Sequence, residues 1–213
     1  REDAITEIIK GKDVIHIGCS DHIPLIRKKM AANKWLHKLI TDNSRFCIGI
    51  DIDRESIEFV VRELGFSNVI YGNIVTDDLK ELSEKDWDFA VFGEIIEHLD
   101  NPVEFLRIFR EKYGRNVKRF IITVPSVYNR KNMKNMLRYR EEINSDHRYW
   151  FTPYTIAKLA VSAGLNPERV SYVNLIPLGI MKLIFRKIKT IFHIPVKYPY
   201  YYFSSLIITG TLN

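Results

Sequence analysis

Residues 87–104 read Trp87-Asp88-Phe89-Ala90-Val91-Phe92-Gly93-Glu94-Ile95-Ile96-Glu97-His98-Leu99-Asp100-Asn101-Pro102-Val103-Glu104, and their order decides the fold. The opening run, Trp87 to Phe92, is short and mostly apolar, the pattern of a buried strand. Asn101 is a helix cap, Pro102 suits the first helical position and Glu104 the first turn, so a helix starts there and carries Phe105, Leu106, Ile108 and Phe109 to about Tyr113. A strand thus feeds a helix through a loop rich in acids and histidine.

The same pattern recurs on either side. Asp13 to Ile17 is a strand ended by Gly18-Cys19-Ser20, and Arg45 to Ile50 is a second, ended by Asp51-Ile52-Asp53. A helix follows, with Ile57, Val60, Val61 and Leu64 at helical spacing and Gly65 closing it. Asn68 to Tyr71 is a short strand. Downstream, Lys118 to Val124 is another, stopped by Pro125; Thr152 and Pro153 start a helix that runs to Gly164; Val170 to Ile176 and Phe203 to Thr209 are closing strands. Strands alternating with helices predict an α/β fold, a doubly wound, mostly parallel sheet with helices on both faces. In such sheets ligands bind at the carboxyl ends of the strands.

Composition sets the outer limits. The chain has 213 residues, 46% hydrophobic and 27% charged, which suits one globular domain and excludes disordered, collagen-like and coiled-coil chains. Cys19 and Cys47 are too few for a disulfide scaffold or a zinc site, which suggests a reducing compartment such as the cytoplasm. No apolar run of about 18 residues exists to cross a bilayer, and Arg1 to Ile9 is too charged for a signal peptide, so a soluble protein is expected. The net charge of +6 is lopsided: no acid follows Glu168, while Arg169, Lys182, Arg186, Lys187, Lys189 and Lys197 are all basic. That argues for a basic C-terminal surface with its own task rather than for a nucleic-acid-coating protein.

Four strand ends carry candidate binding residues. Gly18, Cys19 and Ser20 let backbone approach a ligand closely. Asp51 ends the second strand, where an acid accepts hydrogen bonds from both ribose hydroxyls, whereas Asp53 reads as a helix cap. Asn73, after the third strand, offers an amide to an adenine edge. Gly93 and Glu94 follow the fourth.

These residues carry a resemblance. Gly18-Cys19-Ser20, Gly49-Ile50-Asp51, Gly72-Asn73-Ile74, the Gly93-Glu94-Ile95-Ile96-Glu97-His98-Leu99 stretch, Thr123-Val124-Pro125-Ser126 and Asp146-His147-Arg148-Tyr149-Trp150-Phe151-Thr152-Pro153 are together similar to the S-adenosylmethionine-dependent methyltransferases of the Rossmann-like class. The resemblance spans about residues 10–175. It implies seven strands with the last antiparallel, and a cofactor held by Gly18, Cys19, Ser20, Asp51, Ile52, Asn73, Ile74, Gly93 and Glu94. Four positions depart from the family pattern: His16 replaces the usual first-strand acid, Ser20 and His22 replace loop glycines, and Asn73 stands where an acid is usual. A nicotinamide dinucleotide is disfavoured because no Gly-x-Gly-x-x-Gly occurs.

Glu94, Glu97 and His98 stand at i, i+3 and i+4, one face of any helical turn. Three readings apply to them. They are a capping cluster with His98 oriented by a carboxylate; or His98 is a general base; or His147 joins them in a divalent-metal set similar to that of small-RNA 3′-end 2′-O-methyltransferases. The metal-free base is the expected outcome, because the spacing fits many metal-free relatives, and Glu94, Glu97, His98 and His147 are the catalytic candidates. His16 is expected to be a satisfied core residue and His37 partly buried.

The activity implied is O-methylation of a small-molecule, glycan or lipid-linked acceptor. The alternatives are a metal-dependent RNA 2′-O-methyltransferase and a non-catalytic cofactor-binding protein. The expected layout is a core over 1–177, a basic amphipathic lid or surface segment over 178–200 whose stretch 178–193 suits an anionic membrane, and a closing strand within 201–213. Arg130, Lys131, Lys134, Arg138 and Arg140 alternate with Met133, Met136, Leu137 and Tyr139, as a lid or a solvated helix face.

Overall fold

Residues alternate along each central strand, and both sets of side chains are buried. Ile15, Ile17, Ala90, Phe92, Phe120, Ile122 and Val124 belong to one core cluster; Val14, Phe89, Val91 and Ile121 belong to another. Such strands need cover above and below, and the helices supply it. The computed structural model describes residues 1–176 and 200–213.

Its strands are β1 (Asp13–Ile17), β2 (Phe46–Asp51), β3 (Val69–Tyr71), β4 (Trp87–Gly93), β5 (Val117–Pro125), β6 (Asn166–Leu175) and β7 (Phe203–Thr211). They form one sheet in the order β3-β2-β1-β4-β5-β7-β6. β3 to β5 pair in parallel; β7 runs antiparallel to both β5 and β6. The helices are α1 (Glu2–Ile9), α2 (Ile23–Ala31), α3 (Leu36–Asn43), α4 (Arg54–Leu64), α5 (Lys80–Ser83), α6 (Pro102–Tyr113), α7 (Arg130–Met136) and α8 (Pro153–Ser162). Ile5, Ile9 and Ile40 of α1 and α3 cover one face; Leu106, Phe109, Ile156 and Ala160 of α6 and α8 cover the other.

The expected caps are in place. Asp53 accepts the Ser56 amide and its hydroxyl, which holds its carboxyl below the usual range, and α4 ends at Gly65 with φ 73°. Asn101 accepts the Glu104 amide, and Thr152 and Thr155 cap each other reciprocally. β6 starts at Asn166, earlier than its apolar run, because its edge position leaves the opening residues half-exposed. The amphipathic stretch expected over 178–193 lies outside the described residues. Among the described residues, no helix is long and apolar enough to cross a membrane.

His16 is where the sequence reading fails most plainly. It is buried, as expected, but satisfied at Nδ1 alone. Its Nδ1 lies 3.2 Å from Nδ1 of His37, the rings stack at 5.5 Å, and neither Nε2 has a hydrogen-bond partner among the described residues. His37 itself is fully buried rather than partly so. His16 pairs in register with Gly49, and a Cβ there would stand 2.5 Å from His37 Cε1 and 2.8 Å from Cys19, so the glycine makes room for the imidazole.

Candidate active site

The carboxyl ends of β1, β2 and β4 meet at one edge of the sheet. Gly18 turns the chain out of β1 with φ 71°, and a Cβ on it would collide with Ile95. Both features require glycine. The amides of Gly18 and Cys19 donate to the Ile50 carbonyl at 2.9 and 3.2 Å, tying the loop to β2. Cys19 turns its side chain inward, and burial pushes its thiol well above the usual range, so only its backbone faces the edge.

Asp51 accepts the Ser20 amide at 2.9 Å on one oxygen and the Asp53 amide at 3.0 Å on the other. Each oxygen keeps a lone pair for a further donor. Beside it Ile52 is 67% exposed, a large apolar side chain held in solvent at a strand end. A carboxylate for a diol next to an apolar platform for a flat ring is the donor set a nucleoside needs, so these residues fit the adenosine part of the expected cofactor. Asn73 fits less directly. Its Oδ1 accepts the Val75 amide at 2.9 Å, leaving one lone pair and the side-chain NH₂ for a base. Ile74 is buried in the core, so its side chain is not available at this edge.

The acid and histidine stretch does not form the helical face that its spacing predicts. Glu94 adopts φ 57°, and only Ile96–His98 form a tight 3₁₀ turn. The reversal at Glu94 sends its carboxylate away from its neighbours: one oxygen pairs with the guanidinium of Arg1, and the other accepts from Ser205 Oγ at 3.3 Å. Nothing in the local sequence signalled Arg1 or Ser205, which reach Glu94 from α1's start and from β7.

Glu97, His98 and His147 do come together, with one candidate ligand atom of each within 4.8 Å of the others. The loop that carries His147 is pinned to the turn: the Arg148 amide donates to the Glu97 carbonyl at 2.7 Å, Arg148 pairs with Asp100, and Tyr149 OH donates to the Asp100 carbonyl at 2.7 Å. His98 is oriented by the backbone carbonyl of Asp146, 3.1 Å from its Nδ1, rather than by a carboxylate. A carbonyl only accepts, so Nδ1 carries the proton and Nε2 presents its lone pair. The His147 ring stands perpendicular to that of His98 at 4.7 Å, and burial with the neighbouring imidazole holds its pKa below the usual value.

Glu97 is 1% exposed, and neither carboxylate oxygen has a partner among the described residues. Burial pushes its pKa up to about 7. A buried carboxylate with two unused oxygens beside two imidazoles is a donor set that a divalent cation fits. An open groove of about 310 Å³ adjoins this loop, lined by Asn101, Tyr149, Tyr154, Thr155 and Lys158 among others.

A sequence profile described as a methyltransferase domain matches residues 2–170. The fold is similar to a SAM-dependent methyltransferase from Aquifex aeolicus, with TM-score 0.58 and 14% identity over 100% of this chain and 89% of that one. It is also similar to the small RNA methyltransferase HEN1, with TM-score 0.62 and 16% identity over 99% of this chain and 24% of that one. The methyltransferase domain of bacterial CtHen1-C superposes with TM-score 0.60 and 16% identity, over 99% and 96% of the two chains. No curated protein matches the chain in sequence.

Proposed function

Since this chain belongs to the methyltransferase-domain family, we propose that it transfers the methyl group of S-adenosylmethionine to a hydroxyl of a sugar-like vicinal diol, with a divalent cation held by Glu97, His98 and His147. One observation carries the cation part: the gathering of those three side chains around a buried carboxylate with both oxygens unused. The sequence alone favoured a metal-free base. A carboxylate whose burial is only partly offset, by its own backbone amide and the charge of Arg1, supports a cation ligand instead.

S-adenosylmethionine supplies an electrophilic sulfonium methyl, and the cation would polarise the acceptor's hydroxyls as a Lewis acid. The residues do the rest. Asp51 holds the ribose diol of the cofactor, Ile52 covers its base, and Gly18 keeps the loop close enough to seat it. The acceptor oxygen forms its bond to carbon as the carbon–sulfur bond breaks, the electron pair leaving with sulfur. The hydroxyl proton passes to a base or water beside the cluster. Tyr149, Tyr154 and Lys158 give the neighbouring groove ring faces and a cation suited to a glycan.

The terminal ribose of an RNA is the second reading. Its 2′,3′-diol is the same vicinal diol for a cation that Glu97, His98 and His147 would hold, and HEN1, a small RNA methyltransferase, has a similar fold. Dialysis against a chelator separates the cation readings from the metal-free base: activity is expected to vanish and to return with Mn²⁺ or Mg²⁺. Undiminished turnover after chelation overturns the cation assignment. Acceptor panels of diol-bearing glycosides and of RNA with intact or periodate-cleaved 3′ ends then distinguish the two substrates.

The cofactor assignment has its own check. Asp51→Ala is expected to weaken S-adenosylmethionine binding by about 1–3 kcal/mol, the cost of leaving ligand hydroxyls without a charged partner. Calorimetric titration reads it, and unchanged affinity removes the ribose role.

A further inference from the structure

Between β5 and α8 the chain makes a long excursion closed at its base by a bridge between Ser126 and Phe151, with the Val127 amide donating to the Phe151 carbonyl at 3.0 Å. Its outer part, α7 and the residues after it, presents large apolar side chains to solvent. Met136 is 56% exposed, Leu137 80% and Tyr139 fully so, the last with φ 55°. Cations surround them. Lys131 is paired with Glu142, but Arg130, Lys134, Arg138 and Arg140 take part in no ion pair among the described residues.

We propose that this tip docks on an anionic lipid surface, with Leu137 and Tyr139 entering the interface and Lys134, Arg138 and Arg140 over the headgroups. Four unpaired cations on α7 and the residues after it, against Glu141, Glu142 and Asp146 further along the excursion, favour a negatively charged occupant. The chain's own basic stretch beyond Glu168 and a second copy of this tip are both positive, so neither complements it. A nucleic acid would satisfy the charge but gives no reward for a leucine and a methionine held in water, whereas a lipid interface takes both. Each cation near an anionic surface raises partitioning by about fivefold, so three act together strongly at low salt. The same excursion delivers His147 to Glu97 and His98, so the docking segment and the cluster lie on one connection of the chain. The docking itself does not depend on methyl transfer.

Cosedimentation of the full chain with phosphatidylglycerol-containing vesicles tests it. Binding is expected at low salt and not to pure phosphatidylcholine, and Leu137→Ser with Tyr139→Ser is expected to weaken it at least tenfold, with unchanged melting temperature and cofactor affinity. A second variant, Tyr139→Trp, is expected to blue-shift its emission on vesicles and to be quenched by brominated acyl chains. Vesicle binding that survives the double substitution, as it would if residues 178–193 did the docking, overturns the proposal. So does retention of single-stranded RNA without vesicle binding. Neither result bears on the cation or the cofactor, which chelation and calorimetry read separately.

Discussion

Glu97→Gln is expected to lose divalent-cation binding and to lower kcat/KM by about 100-fold or more, the loss of several kcal/mol of Lewis-acid stabilisation. The same substitution is expected to make the ion-free protein more stable. The carboxyl titrates at about 7 in the fold against an ordinary 4.5, so the folded state favours the protonated form. Its contribution to stability is complete below pH 4.5 and is lost as pH rises through about 7. Above that the buried charge costs about 3 kcal/mol, from about 1.4 kcal/mol per pKa unit. The substituted amide carries no such charge, so at pH 8 the variant gains most of that amount in urea unfolding. Added Mn²⁺ narrows the gap by stabilising only the parent. A parent that Mn²⁺ fails to stabilise, with a variant no more stable than it, means that Glu97 is not the charged ligand argued for here.

Acid sensitivity from the His16–His37 pair is the second large effect. Burial holds the His37 pKa down to about 4 and that of His16 well below 6.5, and a charge on His37 would further oppose one on His16. One ring donates through Nδ1 and the other accepts, an arrangement available only while both are neutral. Folded values below the unfolded ones mean that stability is present above pH 6.5 and declines as pH falls toward 4. His37 alone accounts for about 3 kcal/mol across that window. Between pH 6 and 5 the two imidazoles take up two protons on unfolding while Glu97 releases one, so the slope is expected to approach about 1.4 kcal/mol per pH unit in the parent and about 2.7 kcal/mol per pH unit in Glu97→Gln, where that release is absent. A flat profile in that interval contradicts the neutral pair. His37→Leu, if it folds, is expected to lose at least half of the slope, since it removes one of the two protons.

The strands were legible because parallel sheets covered on both faces leave unbroken apolar runs, and β1 to β5 fall within a residue or two of the runs at Asp13, Arg45, Asn68, Trp87 and Lys118. The caps at Asp53, Asn101 and Thr152 were legible because a cap acts within three residues of itself. α1, α2 and α3 were not read. α2 buries only Ile26, so it has no apolar stripe to detect. The site divided along the same line. Spacing singled out Glu97 and His98, and the resemblance added His147. The helical geometry assigned to Glu94 failed because an ion pair with Arg1 and a left-handed turn redirect it. Those contacts, like that between His16 and His37, join residues far apart in the chain, and no local pattern records them.

The order β5-β7-β6 fixes a timetable for a chain made from its amino terminus. Every ladder bond of β6 is to β7, so β6 has no partner when it leaves the ribosome and β5 carries an open edge beside it. At about 5–20 residues per second, the stretch from β6 to the end of β7 takes seconds to emerge, far longer than a hairpin needs to form. For that interval the nascent protein shows two unpaired strand edges to its surroundings. A slow codon run or a stall between them lengthens the exposure without altering a single native contact.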